Sequence, residues 1–291
     1  MLEILIKRTE SERQIALVEN EKIIEFYDEK ESEEKKEGNI YVGVVKDVVK
    51  GMQAAFIDIG IEKNSLIHLK DILEKKDEKM EEVNLNQEIT KILKPNQKLL
   101  VQIKKDSNER KGARTSTHIN LPGKYVVLMP NTNIVTISQK INNVQEQERL
   151  LKIVKENISK ENGAIIRTSA EGKEKEVIEE IKKLEKKWQE IFQKSRQENI
   201  KAPRLLYKSE DIVEKMLIDL ADKNVDSVTV NDSRDYNQIS NIKSENKEYK
   251  NLKILIKGEQ SIFDKYNLKK QISKISNRKI WLKMWRIYNY R

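Results

Sequence analysis

Between Asn39 and Leu69 the chain alternates apolar and polar residues in runs too short for a helix and punctuated by glycine. Ile40, Val42 and Val44 alternate, Gly51 interrupts, and Ala55, Ile57 and Ile59 alternate again up to Gly60. A period of two places successive side chains on opposite faces, so these runs predict paired strands with one buried face. Short strands broken by glycine in a basic chain predict a small barrel of the oligonucleotide-binding (OB) type. With Ala55, Ile57 and Ile59 turned inward, Phe56 and Asp58 must point outward. An outward aromatic on a barrel suits base stacking, worth ~1–3 kcal/mol per base. Cover by a neighbouring loop is the alternative fate of such a ring.

The segments around this unit differ in pattern. Leu2–Ile6, Ile15–Val18 and Ile23–Tyr27 read as a β-meander, and the charged stretch Asp28–Gly38 as a solvated loop. Lys70–Glu82 is charged enough to be a surface excursion before a strand at Leu99–Ile103. Between Gly172 and Phe192, Val177, Ile181, Leu184, Trp188 and Ile191 recur at helical spacing, which predicts a helix packing one apolar stripe. Pro203 separates it from a short strand at Leu205–Tyr207. Ser209 then offers an N-cap for a helix through Ile212, Met216 and Leu220. Strands are predicted at Ser227–Val230 and Leu252–Ile256, with Asn237–Lys250 as a loop.

A chain of 291 residues is long enough for two or three compact units. Its 57 Lys+Arg against 48 Asp+Glu leave a net charge of +9, which favours polyanionic partners: RNA, DNA or an anionic membrane. The Lys and Glu usage of an AT-rich genome produces a similar balance. No cysteine is present, which removes disulfides and thiolate zinc sites and fits a reducing cytoplasm. The N-terminus lacks the features of a secretory leader, and no run approaches the ~18 apolar residues of a membrane span. A cytoplasmic location is expected.

The stretch Lys111–Asn133, KGARTSTHINLPGKYVVLMPNTN, closely resembles the barrel–sensor junction of the ribonuclease E/G family. NIYVGVV with QAAFIDIG at Asn39–Gly60, IIRTSAEGK at Ile165–Lys173, and FDKYNLKKQI through KIWLK at Phe263–Lys283 agree in order and spacing. The resemblance implies a multidomain α+β and α/β fold. In it an RNase H-like subdomain, residues 1–36 and 205–270, is interrupted by two units. These are an OB-fold RNA-binding barrel of the ribosomal-protein S-one type at 37–117 and a sensor of RNA 5′ ends at 118–204. Residues 271–283 would begin a DNase I-like nuclease subdomain that is otherwise essentially missing.

By the same resemblance Phe56 is the barrel aromatic that stacks on RNA, and Lys105 and Lys111 are basic positions near the RNA path. The family's second barrel aromatic falls at Leu66, which offers no π face. Arg167 and Thr168 match the pair that grips a 5′ monophosphate, with Gly123 and Val127 lining the pocket. A guanidinium fork beside a hydroxyl suits phosphate. Gly123 after Pro122 also reads simply as a type II turn.

Family members cleave RNA with water activated by a divalent ion, Mg²⁺, held by Asp in an Asp-x-Asn-[Ser/Thr] context beyond WLK. This sequence contains no such context. Nor does it contain the family's Cys-Pro-x-Cys element, so the zinc link between protomers is absent and homo-oligomerisation through it is not expected. Asp219, Asp222, Asp226 and Asp232 read as surface charges rather than ligands, and His68 and His118 are too distant in sequence to pair. No catalytic residue and no metal ligand is assigned.

Residues 284–291, Met-Trp-Arg-Ile-Tyr-Asn-Tyr-Arg, depart from the family. Codons for a family-like Cys-Gly-Gly-Tyr-Ile-Ile-Ile-Asp, shifted by one inserted A after Lys283, encode that tail, so a frameshifted end is expected. The implied activity is endoribonucleolytic, on single-stranded RNA in rRNA maturation or mRNA decay. As it stands the chain is expected to bind RNA, preferably 5′-monophosphorylated, without cleaving it. The alternatives are a non-catalytic RNA-binding protein and, from charge alone, a DNA- or membrane-surface-binding protein.

Overall fold

The computed structural model describes residues 1–30, 35–76, 79–82, 87–197, 199–220, 225–245, 249–258, 262–275, 279–281 and 287–289. The chain divides into two compact units, one of Met1–Glu34 with Ile212–Arg291 and one of Lys35–Asp211. Among the described residues no helix is long and apolar enough to cross a membrane.

The first unit opens with the meander β1 (Leu2–Arg8), β2 (Glu12–Glu19) and β3 (Lys22–Lys30), all antiparallel. Asp28–Lys30, read from the sequence as loop, extends β3. There Gln14 and Arg13 face Asp28 and Glu29 across the ladder. A charged run is tolerated because β3 is an edge strand and Arg13 pairs with Glu29.

The second unit begins with a barrel. Its strands are β4 (Ile40–Val49), β5 (Ala54–Asp58), β6 (Ser65–His68), β9 (Lys98–Lys105) and β10 (Arg114–Ser116). They run in the order β4-β5-β6-β10-β9, and β9 pairs back onto β4 to close the ring. Only the β6–β10 pair of the ring is parallel. This is an OB-like barrel. The excursion after β6 carries its own two-stranded hairpin, β7 (Leu73–Lys76) with β8 (Lys79–Glu82), and the short helix α1 (Ile89–Ile92) follows.

The barrel core holds Val45, Ala55, Ile57, Ile59, Ile67, Val101 and Ile103, with Ile89 and Leu93 from α1 and its end. Gly43 permits the close approach of β4 to β5, since a Cβ there would lie 2.5 Å from the Ile57 side chain.

Beyond the barrel lie β11 (Leu121–Pro122), β12 (Val126–Met129), β13 (Val135–Ile137) and β14 (Gly163–Ile166), ordered β11-β12-β14-β13. The helices α2 (Val144–Asn157) and α3 (Glu174–Ser195) pack against this sheet. Asn143 caps α2 by accepting from the Glu146 amide at 3.3 Å. All five stripe residues of α3 are buried, and they share one core with Val126, Leu128, Ala164 and Ile166.

A strand at β15 (Arg204–Tyr207) pairs antiparallel with the start of β4. The segment that the sequence groups with the C-terminal part therefore belongs to the barrel's sheet, and the compact unit runs on to Asp211.

The first unit resumes with α4 (Ile212–Asp219), β16 (Ser227–Val230), α5 (Ser233–Glu245), β17 (Lys253–Ile256) and α6 (Leu268–Ile275). The helix α4 starts three residues after Ser209, whose hydroxyl donates to the Glu37 carbonyl at 2.8 Å. The completed sheet reads β17-β16-β1-β2-β3, with β17, β16 and β1 parallel.

Alternation sorts its residues by face. Leu2, Ile4, Ile6, Ile15 and Leu17 pack with Val213, Met216, Ile239 and Ile242. Leu5, Ala16 and Val18 pack with Ile262, Phe263 and Leu268 on the other. Residues 237–245, expected as loop, are helix because Ile239 and Ile242 dock on the first of these faces and outweigh the weak propensities of Asn and Ser. Lys279–Trp281 and Ile287–Asn289 form a two-stranded ribbon, and the rest of the unusual tail lies outside the described residues.

Candidate nucleic-acid interface

On the barrel, ladder register brings five residues into one line. Asp47 faces Phe56, Phe56 faces Leu66, Leu66 faces Arg114, and Arg114 faces Lys105. Ala55 and Ile57, one residue either side of Phe56, are 0% exposed in the core, whereas Phe56 is only partly buried on the opposite face. Parity alone predicts that placement. Leu66 is likewise half-buried, and Lys105 and Arg114 are exposed.

The Arg114 guanidinium is braced by Asp71, with Nε at 3.1 Å from Oδ2 and Nη2 at 2.8 Å from the same oxygen. Exposed Lys111 sits in the β9–β10 loop, where its amide donates to Asn108 at 2.8 Å. Half-buried Lys104, next to Lys105 on β9, donates through Nζ to Gln102 Oε1 at 2.7 Å. Burial pushes its ammonium down to about 8, against the opposing pull of Asp71 and Glu37. Arg114 was not singled out from the sequence, although it lies inside KGARTST. Only the parallel β6–β10 pairing reveals its alignment with Phe56.

A second cluster forms where the β11–β12 turn meets the end of β14. The Gly123 amide donates to the Val126 carbonyl at 2.8 Å, which tightens the turn. The Arg167 amide donates to the Tyr125 carbonyl at 2.8 Å, and the Ser169 hydroxyl donates to the Lys124 carbonyl. Arg167 and Thr168, both half-buried, thus stand beside the Gly123–Val126 turn, and Val127 continues from it.

On the sheet, Pro122, Val127, Ile165 and Thr136 lie side by side across β11, β12, β14 and β13. Ile165 is 36% exposed there. Thr168 opens a one-turn 3₁₀ helix, Thr168–Ala170. The chain beyond is held by the Gly172 amide on Glu146 at 2.9 Å. The Arg149 guanidinium beside Glu146 lowers that carboxyl to about 2.

Gly123 does not serve as the glycine of a type II turn, because its φ is not in the left-handed region that such a turn requires. The reason for glycine here is proximity. A Cβ at 123 would lie 2.5 Å from the Glu180 carboxyl carbon. Glu180, Lys124 and Ser169 were all missed in the sequence. The acid sits next to the apolar stripe of α3 and reads there as one more solvated charge.

The acids of the first unit are engaged elsewhere. Asp226 accepts from the Leu2 amide at 2.7 Å, and Asp232 pairs with Arg234, which holds its carboxyl at about 2. Asp219 adds to the effects, led by burial, that raise Tyr27 to about 12. Asp222 lies outside the described residues. The sequence did not flag Asp235, which is fully buried between Arg8 at 2.7 Å and Arg13 at 2.9 Å. Among the described residues no group of three or more His, Asp or Glu side chains converges as a candidate metal cluster.

The model of the ribonuclease E/G family matches residues 120–284, more than half of the chain. The chain is 33% identical over 287 residues to ribonuclease G of Escherichia coli K12, covering 97% of this chain and 58% of that protein. It is 30% identical to ribonuclease G of Haemophilus influenzae over the same shares of both chains. To ribonuclease E of a Nostoc species it is 36% identical over 198 residues, 67% of this chain and 28% of the relative. The chain thus spans little more than half the length of the ribonuclease G proteins it matches. With a family model covering most of its second half and relatives aligned along nearly all of it, the chain belongs to the ribonuclease E/G family.

Proposed function

We propose that this chain is the RNA-binding portion of a cytoplasmic endoribonuclease that acts on single-stranded RNA and prefers a 5′ monophosphate. The observation that carries the reading is the line of Phe56, Leu66, Arg114 and Lys105 across the barrel. It offers a stacking ring, an apolar pad and two cations in series. A ring can stack on any base and a cation can neutralise any phosphate, so the surface suits single strands without sequence preference.

The 5′-end sensor is assigned to the sheet and helices of residues 118–204, with Arg167 and Thr168 as phosphate ligands and Gly123 and Val127 as the pocket wall. An RNase H-like scaffold is assigned to the first unit, the resemblance placing it at residues 1–36 and 205–270. Its parallel β17-β16-β1 arrangement with flanking helices supports that assignment. Magnesium would supply hydrolytic water in the family's reaction. The sequence lacks the Asp-x-Asn-[Ser/Thr] context in which the resemblance places the magnesium ligands, and on that ground RNA binding without cleavage is assigned to these 291 residues.

The test is equilibrium binding of the purified chain to a single-stranded RNA carrying either a 5′ monophosphate or a 5′ hydroxyl, with duplex DNA as competitor. Tighter binding of the monophosphate form, lost in Arg167→Ala, is the expected result. Equal affinity for both ends, or duplex DNA bound as tightly as the RNA, overturns the reading. Magnesium-dependent cleavage by the pure chain overturns the binding-only assignment.

A further inference from the structure

Glu180 takes every amide that the Gly123–Val126 turn offers after its first residue. The Lys124 amide donates to one carboxylate oxygen at 2.7 Å, and the Tyr125 and Val126 amides donate to the other at 2.7 and 2.9 Å. Three consecutive N–H groups converging on one anion form a nest, the backbone arrangement that elsewhere binds phosphate. Here the occupant is the protein's own side chain. The Lys124 and Tyr125 carbonyls face a different partner: that of Lys124 accepts from the Ser169 hydroxyl and that of Tyr125 from the Arg167 amide. The turn is thus clamped between Glu180 and the Arg167–Ser169 segment.

Two further features fit a clamp. Helix α3 fixes Glu180 rigidly, because Val177 and Ile181 on either side of it are fully buried. Gly123 leaves the room in which the carboxylate sits, since a Cβ there would come within 2.6 Å of its oxygen.

We propose that Glu180 is a positioning residue for 5′-monophosphate recognition. Its carboxylate sets the Gly123–Val126 turn and, through the two carbonyl bonds, the backbone from which Arg167 and Thr168 reach the phosphate. With the three turn amides already satisfied by Glu180, selectivity for the phosphate falls to Arg167 and the Thr168 hydroxyl. The inference rests on the sensor pocket proposed above.

The experiment measures the ratio of affinities for 5′-monophosphorylated and 5′-hydroxyl single-stranded RNA in each variant. The ratio discounts any general loss of binding. Glu180→Gln keeps the shape but replaces one acceptor oxygen with a donor carboxamide NH2 facing the turn amides, and it should lower the ratio about tenfold or more. Gly123→Ala should lower it as well. Both variants disturb one contact, so adding Gly123→Ala to Glu180→Ala should cost little more than Glu180→Ala alone.

The amide protons of Lys124, Tyr125 and Val126 provide a readout that needs no variant. They should resonate downfield and exchange slowly in the unmodified chain. A Glu180→Gln ratio equal to that of the parent, while Arg167→Ala abolishes the preference, overturns the role of Glu180. Full additivity in the double variant, or fast exchange of the three amides, does the same. If Arg167→Ala also leaves the preference intact, the pocket assignment itself fails and takes this inference with it.

Discussion

Replacing Phe56 by alanine separates stacking from electrostatics on the barrel. The ring lies on the outer face with Leu66 as cross-strand neighbour, while the adjacent Ala55 and Ile57 remain in the core. Folding should therefore lose only about 1 kcal/mol or less, as for a partly exposed side chain. Binding should lose the stacking of one base, ~1–3 kcal/mol, which is about 5- to 150-fold in Kd.

No charge is removed by this change, so log Kd plotted against log salt should keep its slope while the whole line shifts. The assay is fluorescence anisotropy with a single-stranded RNA at several salt concentrations, with thermal unfolding as control. A loss below about twofold with an unchanged melting temperature would refute stacking by Phe56. The converse variant, Leu66→Phe, supplies the π face missing at the facing position and should tighten binding.

Other perturbations test other parts. Lys105→Ala should flatten the salt slope by about 0.7, the value for one phosphate contact on a single strand, and an unchanged slope would place Lys105 off the RNA path. Asp235→Ala removes the buried carboxylate that pairs with both Arg8 and Arg13 in the first unit and should cost ~3–5 kcal/mol in urea unfolding.

Lys104 should make stability depend on alkaline pH. Its folded pKa of about 8 lies below the unfolded value, so between the two the unfolded chain binds more protons and stability rises with pH. The advantage of Lys104→Met over the parent, at most ~3 kcal/mol, should be full below pH 8 and vanish above about 10.5. An advantage that does not change with pH would contradict the burial of that ammonium.

What the sequence revealed followed from periodicity. The outward position of Phe56 and the buried stripe of α3 each depend on a repeat within one element, and both are present as read. What it concealed depends on partners distant in the chain. Arg114 joins the Phe56 line through pairing of β10 with β6, and Arg204–Tyr207 joins the barrel by pairing with β4.

Residues 237–245 are helical because two isoleucines find a sheet to dock on, which Asn and Ser propensities do not disclose. Glu180 is the clearest case. Beside an apolar stripe, one glutamate among many reads as solvent-facing. Only the folded turn shows three amides directed at it.

The proposed function joins a stacking barrel and a pocket for a 5′ phosphate in one chain. The most direct test is amide chemical-shift mapping of the isotopically labelled chain with a short 5′-monophosphorylated RNA, and again with its 5′-hydroxyl counterpart. Shifts are expected along Ala54–Asp58 and Ser65–His68 with both ligands, and at Gly123–Val127 and Arg167–Ser169 only with the monophosphate. Shifts confined to scattered surface lysines, or identical maps for the two RNAs, would contradict it.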